Sequence, residues 1–336
     1  MKGLYIPKNY ENKLDLLTTQ IAIKYVKDNF EKILAEKLNL TRVSAPLLVF
    51  SNTGINDDLN GVERAVRFDI SALDGKDAEI VHSLAKWKRT ALKKYNFKVD
   101  TGLYTDMNAI RRDDDVDNIH SIYVDQWDWE KVISKEQRTV SYLKETVEKI
   151  VLAIYEVNEM AKKVFPNLSL NVNKEVKFIT TSEAEELYPN LSGKERENAL
   201  TKKYGTVFLM QIGNKLKNGK PHDGRAPDYD DWSLNGDILF YNELLDSSFE
   251  LSSMGIRVDE NSIVSQLKER GMENRLKFDY HKAIVNKELP LTIGGGIGQS
   301  RLCMFILQKA HIGEVQVSLW PEELERQAKQ HGIEIL

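Results

Sequence analysis

Residues 121–130 read Ser121-Ile-Tyr-Val-Asp-Gln-Trp-Asp-Trp-Glu130, and the stretch divides by parity. In an extended chain Ile122, Val124, Gln126, Asp128 and Glu130 share one face, and Ser121, Tyr123, Asp125, Trp127 and Trp129 share the other. Two tryptophans at alternate positions need a large apolar partner, so the aromatic side anchors the segment. The opposite side presents Gln, Asp and Glu at regular intervals. Two readings fit that pattern equally: the polar floor of a cleft, or a surface strand with an apolar back.

Outward from this strand, helical spacing of Leu14, Leu17, Ile21, Val26, Phe30, Ile33, Leu34 and Leu38 predicts a long helix ended by Asn39. A second long helix is expected over 136–165, with Val140, Leu143, Val147, Ile150, Ile154, Ala161 and Val164 on one face. Shorter helices are expected at 83–95, 181–187, 193–203, 259–270, 276–287 and 297–309, and strands at 63–71, 78–82, 206–212, 237–242 and 248–258. Residues 41–50 read as one extended segment, restricted by Pro46 to an edge or a strand end. Residues 51–61 are turn-rich and 213–235 form a polar loop. Strands gather in blocks instead of alternating with helices, which favours α+β over a doubly wound sheet. The 336 residues contain no repeat or Pro/Ser-rich linker, and the length alone fits one large domain or two.

Composition narrows the function. Lys and Arg number 47 against 51 Asp and Glu, a formal charge of −4, which argues against a grip on a nucleic-acid backbone. With 41% hydrophobic residues the chain can bury a sizeable core. The lone cysteine, Cys303, excludes an intramolecular disulfide and Cys-rich zinc sites, and its apolar run reads as buried packing. The N-terminus has no apolar stretch of the kind a secretory leader needs, and no run is long enough to span a bilayer, so a cytoplasmic protein is expected.

Several stretches carry chemistry. Leu291-Thr-Ile-Gly-Gly-Gly-Ile-Gly-Gln-Ser-Arg-Leu302 sets four glycines before a helical run with Arg301 in its first turn. It lacks the Lys-Ser/Thr of a Walker loop. Free helix N–H groups and Arg301 favour an anion, and a tight strand–helix turn is the plainer alternative. In Phe249-Glu-Leu-Ser-Ser-Met-Gly-Ile-Arg257, Glu250 and Arg257 fall on opposite faces of a regular strand. Both serve one site only if a bulge or kink lies near Ser253–Gly255; otherwise this is an edge strand with solvated charges. His82-Ser-Leu-Ala-Lys-Trp-Lys-Arg89 is basic, with Lys86 and Arg89 on one helix face and Lys88 elsewhere, and alone it reads as a solvated face. Ile110-Arg-Arg-Asp-Asp-Asp115 leads into the polar strand. His222-Asp-Gly-Arg-Ala-Pro-Asp-Tyr-Asp-Asp-Trp232 gathers acids without a diagnostic metal spacing, so a solvated loop is the default.

In order, these motifs resemble the catalytic domain of class II aminoacyl-tRNA synthetases. Pro46 resembles the motif 1 proline, Ile110-Arg-Arg-Asp113 with the strand from Ser121 resembles motif 2, and Gly294-Gly-Gly-Ile-Gly-Gln-Ser-Arg301 resembles motif 3. The longer strings at 82–89, Tyr123-Val-Asp-Gln-Trp-Asp-Trp-Glu130, Arg225-Ala-Pro-Asp-Tyr-Asp-Asp-Trp232 and 250–257 are similar to the ammonia-dependent asparagine synthetases, the aspartate–ammonia ligases, across essentially the whole chain.

That resemblance implies a single catalytic domain over 1–336, built on a mainly antiparallel sheet flanked by helices, and a homodimer through motif 1. It implies ATP and Mg²⁺, with L-aspartate and ammonia as the other substrates and neither nucleic acid nor membrane as partner. Arg111 would act at the α-phosphate, Asp57 beside the ammonia path and Lys88 on a substrate carboxylate. Gln126, Asp128, Asp230, Ser252 and Ser253 would contact aspartate. Ser121, Val124, Glu250, Arg257 and Arg301 would contact ATP, with Asp237 and Glu250 on the metal. A glutamine amidase is not expected, because Cys303 lies inside an apolar run. The competing classes are a tRNA-charging or tRNA-modifying paralogue, which would carry a basic surface or an appended domain, and a regulatory protein, which would have lost motif residues.

Overall fold

The structure, a computed structural model, describes residues 4–59 and 63–336. Residues 1–3, which begin the stretch read for a leader, and 60–61, which end the turn-rich stretch, lie outside the described residues. Helix α1 (Leu16–Leu38) opens where Asp15 accepts a hydrogen bond from the Thr18 backbone N–H and closes at Asn39, whose φ is 58°. Residues 41–50 are two strands, not one: β1 (Leu40–Arg42) and β2 (Leu48–Phe50) flank Pro46 and join different sheets. Proline has no N–H to give a ladder, so the chain changes sheets there. The expected strand at 63–71 shrinks to β3 (Arg67–Ile70), which pairs with β4 (Lys76–Ile80) and, through it, β2 in a small antiparallel sheet.

Then follow α2 (Ala85–Lys94), β5 (Gly102–Ile110), β6 (Tyr123–Val132) and α3 (Val140–Val164). Strand β5 escaped the sequence reading because Leu-Tyr-Thr-Asp-Met-Asn alternates too weakly to stand out. Helix α3 starts at 140 and not 136 because Thr139 caps it, accepting from the Tyr142 N–H. Next come β7 (Lys177–Thr180), α4 (Thr181–Leu187), α5 (Gly193–Tyr204), β8 (Thr206–Met210), β9 (Asp230–Asn242) and β10 (Ser247–Arg257). The polar loop expected to run to 235 therefore ends at 229. Helices α6 (Glu260–Glu269) and α7 (Asp279–Val285), strand β11 (Thr292–Gly298) and helices α8 (Gln299–Ile306) and α9 (Glu322–Gln330) complete the chain.

The main sheet has the order β1-β5-β6-β11-β10-β9-β8-β7. Its interior pairs are antiparallel, and only the outer pairs β1–β5 and β7–β8 are parallel. Helices α1, α3 and α8 pack one face. There Trp127 and Trp129 are 1% and 0% exposed, and the Trp127 ring centre lies 4.8 Å from that of Phe30. Each tryptophan buries on the order of 200 Å², on the order of 5 kcal/mol at about 25 cal/mol per Å². That anchoring commits the other parity of β6 to the opposite sheet face, where the polar side chains stand over a cavity. Among the described residues, no helix is long and apolar enough to cross a membrane.

Candidate active site

The floor is laid by β6, β11 and β10. In the β6–β11 register Gln126, Asp128 and Glu130 lie opposite Gly298, Gly296 and Gly294. The glycines are therefore strand residues, not the helix-entry loop their run suggested. Their function is steric. A Cβ on Gly296 would sit 2.5 Å from Gln126 Oε1 and 2.7 Å from Asp128 Oδ1; one on Gly294 would sit 2.8 Å from Arg257 Nη2. Bare backbone at alternate positions opens a trough across which the β6 and β10 side chains lie. Of the two readings of the polar strand, the cleft floor is the one found.

Arg257 crosses that trough. Its Nε and Nη2 each donate to Glu130 Oε2 at 3.2 Å and its Nη1 donates to Asp230, while Thr292 Oγ1 donates to Glu130 Oε1 at 2.7 Å. Strand β10 lies between β9 and β11, so it is not an edge strand. Its register against β9 slips between Glu250 and Ser252 and again between Gly255 and Arg257. Two irregularities thus bracket the expected Ser253–Gly255 position. They bring Glu250, Ser253 and Arg257 onto one cavity and leave Ser252 behind the strand. Ser252 is 1% exposed and its hydroxyl meets no hydrogen-bond partner among the described residues.

The basic helix α2 supplies the next wall, and it is not a solvated face. Lys86, Lys88 and Arg89 are all buried, on separate partners. Lys86 Nζ donates to the Gly54 carbonyl at 2.9 Å and to Asp228 at 3.2 Å. Lys88 Nζ donates to the Gly295 carbonyl at 2.8 Å and pairs with Asp128 at 3.3 Å. Arg89 donates to the Val258 and Pro290 carbonyls. Burial pulls the Lys88 ammonium below its ordinary value, with Asp128 opposing. Asp57 is 3% exposed beside this wall. Its carboxylate accepts from Ser83 Oγ at 2.8 Å and the Leu59 N–H at 2.9 Å.

The acidic loop before β9 is also internal. Asp228 gathers Lys86, Arg275 and His281 at 3.2, 2.9 and 3.0 Å. Although burial pushes its carboxyl up, those three partners hold it well below the usual range. Among the described residues no group of three or more metal-ligating side chains forms.

At the far end, Arg111 follows β5. Its Nε is buried and meets no hydrogen-bond partner among the described residues, and Nη2 lies 3.4 Å from the His82 carbonyl. Ser121 Oγ donates to Ser318 Oγ at 2.8 Å, and Val124 lines the same wall. Arg301, in the first turn of α8, donates from Nη1 to the Glu250 carbonyl at 3.1 Å and lies 3.8 Å from its carboxylate. Asp125 holds that turn, accepting from the Ser300 N–H at 3.0 Å, Ser300 Oγ at 2.8 Å, Gln316 Nε2 at 3.2 Å and Lys27 Nζ at 3.1 Å. Asp237 lies opposite Ser253 on the neighbouring strand β9, paired with Arg225. Burial pushes its carboxyl up to about 7; Arg225 opposes the shift and Glu250 adds to it.

The cavity enclosed by these groups measures about 480 Å³, within the usual range for ligand sites. Asp57, Lys88, Arg111, Ser121, Val124, Gln126, Asp128, Asp230, Glu250, Ser253, Arg257 and Arg301 all line it; Ser252 and Asp237 do not. Arg225 and Asp125 were assigned no site role from the sequence, and Glu130 only a place on the polar face of its strand. Arg225 offered one signal: it is the single cation in an acidic loop. Asp125 sat on the aromatic parity and gave no sign of a helix cap.

A family model described as aspartate-ammonia ligase matches residues 17–332. An aspartate–ammonia ligase from Ruminiclostridium cellulolyticum is 56% identical over 100% of both chains. One from Clostridium tetani is 59% identical over 99% of this chain and 98% of its own. Among solved structures, Entamoeba histolytica asparaginyl-tRNA synthetase in complex with asparaginyl-adenylate superposes with a TM-score of 0.65 at 14% identity. That match covers 90% of this chain and 66% of the synthetase, so this chain spans just under two thirds of that enzyme's length. A Pyrococcus horikoshii asparaginyl-tRNA synthetase gives 0.63 at 18% identity, covering 90% and 70%. At such identities the likeness is one of fold, the class II synthetase catalytic core.

Proposed function

This chain belongs to the aspartate–ammonia ligase family, and from that premise we propose how its residues divide the reaction. The enzyme converts L-aspartate and ammonia to L-asparagine at the expense of ATP, through a β-aspartyl-adenylate, releasing AMP and pyrophosphate. The observation that carries the assignment of residues is the convergence of two unlike ends on one cavity. One end, with Lys88, Gln126, Asp128, Asp230 and Arg257, suits a small zwitterion; the other, with Arg111 and Arg301, suits a polyphosphate.

In the first step an oxygen of the substrate β-carboxylate attacks the α-phosphorus, and the bond to pyrophosphate breaks. Arg111, whose Nε meets no hydrogen-bond partner among the described residues, stabilises the charge that develops on the α-phosphate oxygens. Ser121 and Val124 flank the nucleotide, and Arg301 holds its outer phosphates. Lys88 and Gln126 bind substrate carboxylate, Asp128 and Asp230 its ammonium, and Ser253 completes the wall. Arg257, expected on the phosphates, is better suited to a carboxylate, because it lies between Glu130 and Asp230 at the zwitterion end. Ser252 faces away from the cavity, so no contact is assigned to it.

In the second step the ammonia nitrogen attacks the β-carbonyl carbon, AMP leaves with the bonding electrons, and the nitrogen gives up a proton. Asp57 is the proposed acceptor, since its carboxylate lines the cavity. Asp237 and Glu250 fit Mg²⁺: both are hard oxygen donors, and the neighbouring Glu250 charge pushes the Asp237 carboxyl up, which a cation between them would offset. When bound, the ion would neutralise the polyphosphate. We further propose one catalytic domain over 1–336, supported by the continuous eight-stranded sheet, acting as a cytoplasmic homodimer without nucleic acid.

The test is an assay with ATP, Mg²⁺, L-aspartate and ammonium, without tRNA. Equal amounts of AMP and asparagine are expected, and omitting ammonium should leave a single burst of adenylate. AMP without asparagine at saturating ammonium would overturn the reading. Asp57→Ala should retain adenylate formation and lose ammonia-dependent turnover; unchanged rates in both would remove its role.

A further inference from the structure

Between β9, β10 and α8 two arginines and two carboxylates form a closed set: Arg225 with Asp237, and Arg301 with Glu250. The four formal charges cancel. Metal and nucleotide bring the same two kinds of partner from outside, a divalent cation for the acids and a polyphosphate for the arginines. By charge, the two acids of the set match the cation and the two arginines match the phosphates.

Arg225 is the member whose position bears on this most directly. It lines the cavity, yet its Nη2 donates to Asp237, which does not. Its Nε is buried and meets no hydrogen-bond partner among the described residues. The guanidinium thus uses one edge while donor capacity remains, and a planar fork of this kind matches phosphate oxygens bidentately. Its backbone is tied separately, through the Arg225 carbonyl accepting from Arg270 Nη2 at 3.3 Å. The side chain can change partner without moving the loop.

We propose that Arg225 is a nucleotide-binding residue held in reserve: it occupies Asp237 in place of the metal, and passes to the terminal phosphates when metal–nucleotide enters. A lone metal must then displace Arg225, whereas metal arriving with nucleotide gives Arg225 a new partner. Metal and nucleotide would bind cooperatively as a result. The inference rests on Asp237 and Glu250 being the metal ligands.

The test uses Mn²⁺ as probe, with free Mn²⁺ read by electron paramagnetic resonance on full-length protein, with and without a non-hydrolysable ATP analogue. Wild type should bind Mn²⁺ weakly alone and tightly with the analogue. Arg225→Gln should bind Mn²⁺ alone roughly tenfold more tightly than wild type, the effect of removing about one neighbouring charge. It should also bind the analogue more weakly, losing most of the cooperativity. Unchanged or weaker Mn²⁺ binding by this variant would overturn the handover. Arg225→Lys keeps the charge but not the fork; it should leave Mn²⁺ binding near wild type and still weaken the analogue, and full retention of analogue affinity would overturn the phosphate role. Asp237→Asn tests the underlying reading separately: if it binds Mn²⁺ with the analogue as wild type does, the metal ligands are elsewhere and the handover falls with them.

Discussion

At the scale of single residues, the site is shaped as much by missing side chains as by present ones. Gly296→Ala would set a methyl group against Gln126 Oε1 and Asp128 Oδ1. We expect the KM for aspartate to rise roughly ten- to a hundredfold, the effect of disturbing about two polar contacts, with the KM for ATP little changed. A rise confined to ATP would show that the trough serves the other substrate. Glu130→Ala would leave Arg257 with one acidic partner instead of two in a buried setting. A loss of about 3–5 kcal/mol in urea unfolding is expected, and a loss under about 1 kcal/mol would mean the ion pair is structurally idle. The polar parity of β6 was legible because period-two alternation needs only local sequence. The steric purpose of the glycines was not, since it depends on a register with residues some 170 positions away. Nor was the burial of Lys86, Lys88 and Arg89, because a solvated basic helix and one whose every cation has a partner have the same pattern.

At the scale of elements, the segment after α8 shows how a buried base sets acid stability. His311 is 0% exposed, its Nδ1 accepts from the Gly313 N–H at 2.9 Å, and its ring meets Trp320 edge-on at 4.7 Å. Burial pulls its pKa from 6.5 down to about 4, with Asp117 opposing. The folded value lies below the unfolded one, so the unfolded chain takes up the proton first. The contribution is full above pH 6.5 and is lost as pH falls through that interval towards 4. It is worth at most about 3 kcal/mol. Urea unfolding followed from pH 7 to 4 should show that slope in wild type and a flatter one in His311→Gln; parallel slopes would assign the acid sensitivity elsewhere. Elements with strong periodicity, α1 and α3, were readable as long helices, and the end of α1 at Asn39 with them, while the starts set by the Asp15 and Thr139 caps were not read, which put the start of α3 four residues early. Strand β5 and the division of 41–50 were not readable, because their pairing partners decide them.

At the scale of the whole molecule, the proposed homodimer predicts a species near twice 38.6 kDa in light scattering, and an active monomer at high dilution would contradict it. The formal charge of −4 is what the expectation of a partner other than nucleic acid rests on. The order of strands has one more consequence, and it concerns synthesis. Strand β11 is the last strand in the chain, yet it lies in the middle of the sheet, between β6 and β10. Until it leaves the ribosome, a nascent chain can build only two half-sheets, β1-β5-β6 and β10-β9-β8-β7, each with an unpaired edge. The final strand is a keystone: one insertion seals both edges and joins the two halves of the catalytic floor. A chain stopped before residue 292 would therefore be both inactive and prone to clump through those open edges.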